Sequence, residues 1–286
     1  MTLWSAAALL PPPTTSAAAS PPEYRELSTV DRRFAGPPSL RPLPAYVTFP
    51  PNGTGSSAAA PEEVRYRRLS AEVLKLNAAN PDPRIIRYAA GWLNRGAVVA
   101  VPTDTLYALA ADPVNLAAID EIFRVKGRPE NRALPILISS LIHAQVLARN
   151  LPDNFFRLAQ TCWPGPLTIV VDASNRLPLK VTANTRRVAL RWPRSKIVID
   201  LIAELGVPLT GTSANLSGSP TCASGADVFT QLGDRLPLIL DAGKTADDTP
   251  STIVELRGDL WCIGREGAIS ADEIREALEG DDPVPA

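Results

Sequence analysis

The 286-residue sequence contains only three cysteines and one histidine. Cys162, Cys222 and Cys262 show no Cys-x-x-Cys spacing, so the sequence indicates neither a disulfide framework nor a zinc site. This cysteine usage is typical of a reducing compartment, and we expect a cytoplasmic protein. His143 alone cannot form a multi-histidine metal centre, and we interpret it as a helix-surface or half-buried residue. No metal ligand is predicted among the protein side chains.

The sequence also lacks an excess of charge and a long apolar run. Its formal net charge is −1, which disfavours a protein that coats nucleic acids with a broad basic face, although a local basic pocket remains compatible with it. Residues 3–10 are apolar, but no basic residue precedes them and three prolines follow at once. Such a segment makes a poor signal peptide and is too short for a membrane span. We therefore expect no membrane association.

The first part of the chain differs in composition from the rest. The first sixty residues hold 11 of the 29 prolines, together with runs of alanine, serine and threonine. Such a composition cannot bury enough apolar surface to offset the ordering of the chain. We predict a disordered extension over residues 1–65, followed by one catalytic domain over residues 66–278. A transit peptide and a start codon assigned too early remain alternative interpretations of the extension.

From about residue 81, helix and strand signals alternate. Asp82, Asn115, Ser195 and Ser270 are predicted to cap helices, because each precedes an apolar pattern of helical period. Another helix is predicted around residues 153–161. Predicted strands cover residues 97–101, 134–138, 167–171, 187–191, 208–210, 238–240, 252–256 and 260–263. Several of these strands have no helix between them, which indicates an α/β fold with a twisted mixed sheet and flanking helices.

Three polar segments follow apolar runs. Residues 102–107 and 212–218 are rich in small hydroxyl side chains, and residues 126–132 carry three cations. Ends of strands and starts of helices that meet in one crevice form anion-binding sites in α/β proteins. The sequence therefore predicts an anion site built from these three loops.

Seven short motifs give the chain a resemblance to the YrdC-like family, whose best-known members are threonylcarbamoyl-AMP synthases. In order, they are PTDTLY at 102–107, KGRP at 126–129, WPGPLT at 163–168, RWP at 191–193, TSANLSG at 212–218, STIV at 251–254 and REG at 265–267. A single KGRP is a weak signal, but seven ordered motifs over residues 83–278 are a strong one. The resemblance implies a twisted α/β fold around an open, basic cavity.

The resemblance also implies a reaction and its participants. In it, L-threonine, bicarbonate and ATP, the last with Mg²⁺, give threonylcarbamoyl-adenylate and diphosphate. Separate transfer proteins then use this intermediate to modify tRNA to threonylcarbamoyladenosine. Weak binding of tRNA or double-stranded RNA is a further expectation. The chain is therefore expected to be a nucleotidyltransferase in the short form of the family, without an additional C-terminal domain.

The roles of individual residues follow from the motifs that match. The resemblance implies catalysis by Lys126 and Arg128, which would face the triphosphate. It implies ATP contacts from Arg128, Arg132, Thr168, Asn215 and Arg265, and threonine contacts from Thr105, Ser213 and Ser251. Arg191 is a further candidate for binding a carboxylate or a phosphate. Trp163 is interpreted as a core residue rather than a platform for the base.

The chain departs from the family's usual pattern at three positions. Ala108 stands where a glycine is common, Ala133 replaces a common proline, and Leu137 falls where some members have a threonine-contacting histidine. These departures concern the amino-acid pocket. Two other functions remain open: a carbamoyltransferase of the hydrogenase-maturation type that makes carbamoyl-adenylate, and a noncatalytic RNA-binding module.

Overall fold

The strands of the chain divide between two mixed sheets. The computed structural model describes residues 70–127 and 132–279. The strands are β1 (Glu72–Lys75), β2 (Val99–Pro102), β3 (Tyr107–Ala110), β4 (Ile136–Leu137), β5 (Leu167–Asp172), β6 (Arg187–Arg191), β7 (Leu209–Thr210), β8 (Thr212–Ser213), β9 (Leu238–Asp241), β10 (Thr252–Arg257) and β11 (Leu260–Arg265). The first sheet has the order β1-β9-β2-β3-β8, and the second has the order β11-β10-β5-β6-β4-β7. Each sheet contains parallel and antiparallel pairs, which confirms the predicted mixed α/β class.

The helices cover the sheets. They are α1 (Pro83–Asn94), α2 (Leu116–Lys126), α3 (Leu141–Leu147), α4 (Asp153–Cys162), α5 (Lys196–Leu205), α6 (Gly225–Leu232) and α7 (Ala271–Glu279). The predicted caps of three helices are confirmed, because Asp82, Asn115 and Ser195 each accept a hydrogen bond from a backbone N–H in the first turn. In the described parts of the chain, no helix is both long and apolar enough to cross a membrane.

Side chains of the first sheet alternate between two hydrophobic cores. Leu74, Val99 and Val101 pack with α1 and α5, whereas Val73 and Ala100 belong to the larger core that also contains residues of the second sheet. This alternation follows from the period of two along a strand. Both faces of the first sheet are therefore buried, so its polar side chains are confined to the strand ends.

Gly211 is the point at which the chain crosses between the sheets. It alone separates β7 in the second sheet from β8 in the first. A Cβ atom at this position would lie 2.5 Å from Leu137 Cγ, which real structures do not allow, so only glycine fits against this buried leucine. The one-residue crossing brings the first-sheet residue Ser213 close to the second sheet.

Two interpretations of single residues are confirmed. Trp163 is 8% exposed, its Nε1 donates to Leu167 O at 2.7 Å, and its ring meets Phe155 edge-on, so it is a core residue. His143 is half-buried near the start of α3, and this burial lowers the pKa of its imidazole.

The boundary of the domain can be tested by two deletions. The predicted extension, residues 1–65, lies outside the described residues, whereas β1 pairs in parallel with β9 and buries Val73 and Leu74. We expect deletion of residues 1–65 to leave the melting temperature and diphosphate release unchanged. Deletion of residues 1–76 also removes β1 and should lower the melting temperature clearly. Loss of activity in the shorter deletion, with its fold retained, would show that the extension takes part in function.

Candidate active site

Arg191 joins the two sheets at the site. It ends β6, and its Nη1 donates to Thr105 Oγ1 at 2.8 Å while its Nη2 forms an ion pair with Asp104 Oδ1 at 2.7 Å. Its Nε donates to Gly165 O at 3.2 Å. Thr105 and Asp104 lie in the loop between β2 and β3, and Gly165 lies in the turn before β5. Each nitrogen of this guanidinium therefore has a protein partner.

The electrostatics of this group reflect its burial. Arg191 is 7% exposed, and burial lowers the pKa of its guanidinium, an effect that the neighbouring Asp104 carboxylate opposes. The positive charge of Arg265 also lowers the pKa of Arg191, because the two guanidinium groups interact across the site. Burial likewise lowers the pKa of Arg265. Two cations in this proximity favour an anionic ligand between or beside them.

A second cluster consists of Thr168, Ser251 and Arg265. Strands β5 and β10 run in parallel, with Leu167 beside Thr252, which brings Thr168 Oγ1 to 2.9 Å from Ser251 Oγ. Arg265 Nη2 donates to Ser251 O at 2.6 Å and lies 3.3 Å from Ser251 Oγ. The β5–β6 ladder, with Ile169 beside Leu190, also brings Thr168 towards Arg191.

A third cluster surrounds Lys126. This residue ends α2 and is 3% exposed, and its Nζ donates to Ser213 O, to Asn215 O at 3.0 Å and to Asn215 Oδ1 at 3.3 Å. Ser213 Oγ donates to the same amide oxygen at 2.6 Å, while Asn215 Nδ2 donates to Leu216 O and Ser219 O. The lysine thus fixes the loop that contains Ser213 and Asn215.

The β3–β8 pairing connects the Lys126 cluster to the Arg191 cluster. Ala108 lies beside Ser213 in the ladder, and Ala214 N donates to Tyr107 O at 2.8 Å. Tyr107 itself is fully buried, and its hydroxyl lies 2.7 Å from Gly243 O. Burial raises the pKa of Tyr107 above its ordinary range, and its full burial makes it a packing residue. The motif at 102–107 therefore combines site residues with one core residue.

The structure brings most of the candidate residues into these three clusters. Lys126, Thr168, Asn215, Arg265, Thr105, Ser213, Ser251 and Arg191 all belong to them. Arg132 is exposed in the segment before β4. Arg128 lies outside the described residues. The assigned roles of all these residues stay predictions.

Two residues of the motif at 102–107 were not assigned to the site from sequence. Asp104 is the ion-pair partner of Arg191, and Thr103 Oγ1 donates to Leu106 O at 2.7 Å and accepts from two backbone N–H groups. The high density of short polar side chains in this segment was the one sequence signal that could have indicated these two residues. The role of Asp104 depends on its partner Arg191, which lies 87 residues away along the chain.

Two of the positions at which the motifs depart from their usual pattern lie in strands. Ala108 belongs to β3 and does not adopt a positive φ, so no glycine is needed there. Leu137 is 1% exposed, and its side chain packs beside Gly211. It lies beside Arg191 in the parallel β4–β6 pair, so it contributes apolar surface next to that cation.

A cleft of about 420 Å³ lies beside the site. Leu106 and Pro220, which border it, directly follow residues of the Arg191 and Lys126 clusters. Asp227 and Asp248 also line the cleft. The cations of the site, Lys126, Arg191 and Arg265, are not among its lining residues and lie next to it. In the described ranges, no group of three or more histidine, cysteine or acidic side chains could hold a metal ion.

Comparison with known proteins identifies the family. The profile described as "Telomere recombination", which groups the Sua5, YciO and YrdC proteins, matches residues 92–267. The chain therefore belongs to the Sua5/YciO/YrdC family. It is 35% identical over 193 residues to the threonylcarbamoyl-AMP synthase of Pyrococcus abyssi, covering 68% of this chain and 57% of the relative. A putative threonylcarbamoyl-AMP synthase of Mycobacterium tuberculosis is 33% identical and is covered over 95% of its length, with 72% of this chain.

A solved structure agrees with this result. The crystal structure of Pyrococcus abyssi Sua5 complexed with L-threonine has a TM-score of 0.70 and 34% identity, and it covers 73% of this chain and 61% of that protein. The chain thus spans only about three fifths of the archaeal relatives that it matches. It spans nearly all of the mycobacterial one.

Proposed function

We propose that the protein is an L-threonylcarbamoyladenylate synthase that acts in tRNA modification. Relatives with this name match the chain at 31–35% identity, and a similar structure contains L-threonine. The observation that carries most weight is the site itself, where two buried cations, one more exposed cation and several hydroxyls come together with one carboxylate, which is paired with Arg191. Such a site suits substrates that bring negative charge, as ATP, bicarbonate and an amino-acid carboxylate do.

The chemistry requires no protein nucleophile. The threonine nitrogen combines with bicarbonate to give a carbamate and water. A carbamate oxygen then attacks the α-phosphorus of ATP, and the bond to diphosphate breaks. Positioning and charge neutralisation are the main contributions of a protein to such a displacement. Burial raises the pKa of the Cys162 and Cys222 thiols to about 11, so neither is a thiolate near neutral pH.

The clusters suggest how the substrates are held. Arg265, Arg128 and Arg132 would neutralise the triphosphate, and the Thr168 hydroxyl would contact the nucleotide. Ser213, Ser251 and Thr105 would contact threonine. Lys126 and Asn215 would shape the loop beside the nucleotide. Mg²⁺ would enter with ATP, because no carboxylate cluster among the described residues offers a separate site for it. The product would pass to separate threonylcarbamoyl-transfer proteins, and the free cysteines suit a cytoplasmic setting.

A second enzyme function is the synthesis of carbamoyl-adenylate. The full-length structure of a HypF protein has a TM-score of 0.57 with 18% identity, which shows a shared fold alone. The identities to threonylcarbamoyl-AMP synthases are higher, so we favour the threonine reaction. An RNA-binding module without catalysis would not need ATP, and thermal stabilisation by ATP separates it from both enzymes.

Substrate dependence tests the proposal. We expect diphosphate release only when ATP, L-threonine and bicarbonate are all present, with threonylcarbamoyl-adenylate detected by mass spectrometry. L-serine lacks one methyl group and should give a kcat/KM roughly 10- to 200-fold lower. Full-rate diphosphate release without threonine, or carbamoyl-adenylate formed from carbamoyl phosphate, would contradict the proposal and favour the second enzyme function.

A further inference from the structure

Strand β11 forms an open edge of the second sheet. Its one neighbouring strand is β10, and among the described residues no group bonds to the backbone N–H and C=O groups on the other side of residues 260–264. The other described sheet edges belong to β1, β7 and β8, which have two to four residues, whereas β11 has six. It also contains no lysine or proline, the residues that commonly protect an edge from pairing. A further strand can therefore add to the fold at β11.

The side chains of this edge are apolar and open to solvent. Leu260 is 77% exposed, more than any other large hydrophobic residue in the described parts of the chain, and Cys262 is exposed as well. Trp261 and Ile263, which point to the other face of the sheet, are half-buried. Burial of apolar surface of this kind is favourable, so a partner that covers the edge would be stabilised.

The charges at the two ends of β11 favour a second copy of the chain as that partner. Asp259 directly precedes the strand and Arg265 ends it, and both are exposed. Two identical strands that pair antiparallel around a twofold axis place one residue opposite itself, because opposite side chains share a face. With Cys262 at this centre, Asp259 of each copy lies opposite Arg265 of the other. Leu260 then lies opposite Gly264, which has no side chain to obstruct it.

The neighbouring registers lack this complementarity. A centre at Trp261 places Asp259 opposite Ile263 and leaves Arg265 beyond the hairpin turn of the other copy. A centre at Ile263 places Arg265 opposite Trp261 and leaves Asp259 without a basic partner. The one irregularity in the pairing of β11 with β10 lies just before Arg265, outside the three central pairs. The register centred on Cys262 is therefore the one that the charges select.

We propose that the protein forms a twofold-symmetric dimer in which the β11 strands of two copies pair antiparallel, with Cys262 opposite Cys262. The second sheets of both copies then form one continuous sheet. Arg265 donates to Ser251 O through Nε and Nη2, so its Nη1 is open to Asp259 of the second copy. Each copy thus contributes a carboxylate at the border of the other's candidate site. A strand pair of this length is smaller than a standard interface, so we expect a micromolar dissociation constant.

Oxidative cross-linking tests the centre of the pairing. Opposite Cβ atoms of an antiparallel pair lie about 4.5–5.5 Å apart, close to the spacing that a disulfide requires. Oxidation of the wild-type protein with copper phenanthroline should give a disulfide-linked dimer, in which mass spectrometry identifies a peptide that joins Cys262 to Cys262. Cys262→Ser should lose this product. A wild-type dimer that yields no such peptide would contradict the pairing.

Charge reversal tests the register by sedimentation equilibrium. Asp259→Arg places like charges opposite each other at both ends of the pairing and should raise the dissociation constant of the dimer about tenfold or more. Asp259→Arg combined with Arg265→Asp exchanges the two charges and should restore a dissociation constant close to that of wild type. Asp120→Arg changes an exposed aspartate on α2, is the matched control and should dimerise as wild type.

The dimer is wrong if wild-type protein stays monomeric at the highest concentration measured, or if Asp259→Arg dimerises as tightly as wild type. The register is wrong if the double variant is folded by circular dichroism but dimerises as weakly as Asp259→Arg. A monomeric wild type whose β11 amides are protected from hydrogen exchange would show that another segment of the chain covers the edge, and would also overturn the dimer. These measurements involve no turnover, so they are independent of the proposed function.

Discussion

Lys126→Met is expected to reduce diphosphate release by about 100-fold or more while most of the fold is retained. Lys126 Nζ holds the backbone carbonyls of Ser213 and Asn215 and the amide oxygen of Asn215. Methionine fills the same volume without the ammonium, so the loop loses the cation that fixes it. A displacement of about 1 Å in a positioned group can cost about 10²-fold in rate. Steady-state diphosphate release, with melting temperature measured alongside, checks this result.

Two further variants separate loop positioning from the loss of a charge. Lys126→Arg keeps the charge. A planar guanidinium, however, cannot donate from a single atom to three oxygens that converge on one point, so we expect the rate of this variant to be reduced as well. Lys196→Met removes an exposed lysine that pairs with Asp200 and should leave the rate unchanged. If Lys126→Arg is fully active, the charge alone is required, and the positioning explanation is wrong.

Arg191→Ala is expected to lower the free energy of unfolding by about 3–5 kcal/mol, because it leaves a largely buried carboxylate without its partner. The side chains of Arg191 and Asp104 are 9% and 14% exposed, and the guanidinium also connects the two sheets through Thr105 and Asp104 in the β2–β3 loop. Urea unfolding followed by circular dichroism measures the loss.

The matched control for this variant is the double variant Arg191→Ala, Asp104→Ala. Removing both partners leaves no uncompensated charge, so the double variant should recover part of the lost stability. A double variant that is less stable than Arg191→Ala would show that Asp104 stabilises the fold through other contacts. Neither variant should bind threonine as wild type does.

The sequence predicted the helices that begin with a capping side chain. Asp82, Asn115 and Ser195 begin helices as expected, because a cap acts within one turn of its own position. Helix α6 was not predicted, since it begins with Gly225, a poor helix former. A Cβ atom there would lie 2.5 Å from Asp241 Oδ1, so a distant residue requires the glycine.

Strand β8 and the division into two sheets were not predicted from sequence. Strand β7 lies within the predicted strand at residues 208–210, but β8 has only two residues, too few for any periodic pattern, and it follows β7 after a single residue in the other sheet. For the site, the motifs predicted which residues gather together. They did not predict the acceptors of Lys126, which are mostly backbone carbonyls, or the pairing of Asp104 with Arg191, because both depend on tertiary structure.

The pairing of β1 with β9 sets the order in which the protein can be completed on the ribosome. Glu72 lies beside Leu238, so more than 160 residues must be synthesised before β1 meets its partner. At about 5–20 residues per second, that interval is on the order of 10–30 s. During this time the apolar side chains Val73 and Leu74 have no strand beside them. A chaperone that binds short apolar segments would therefore find its target early in the nascent chain, well before the active site exists.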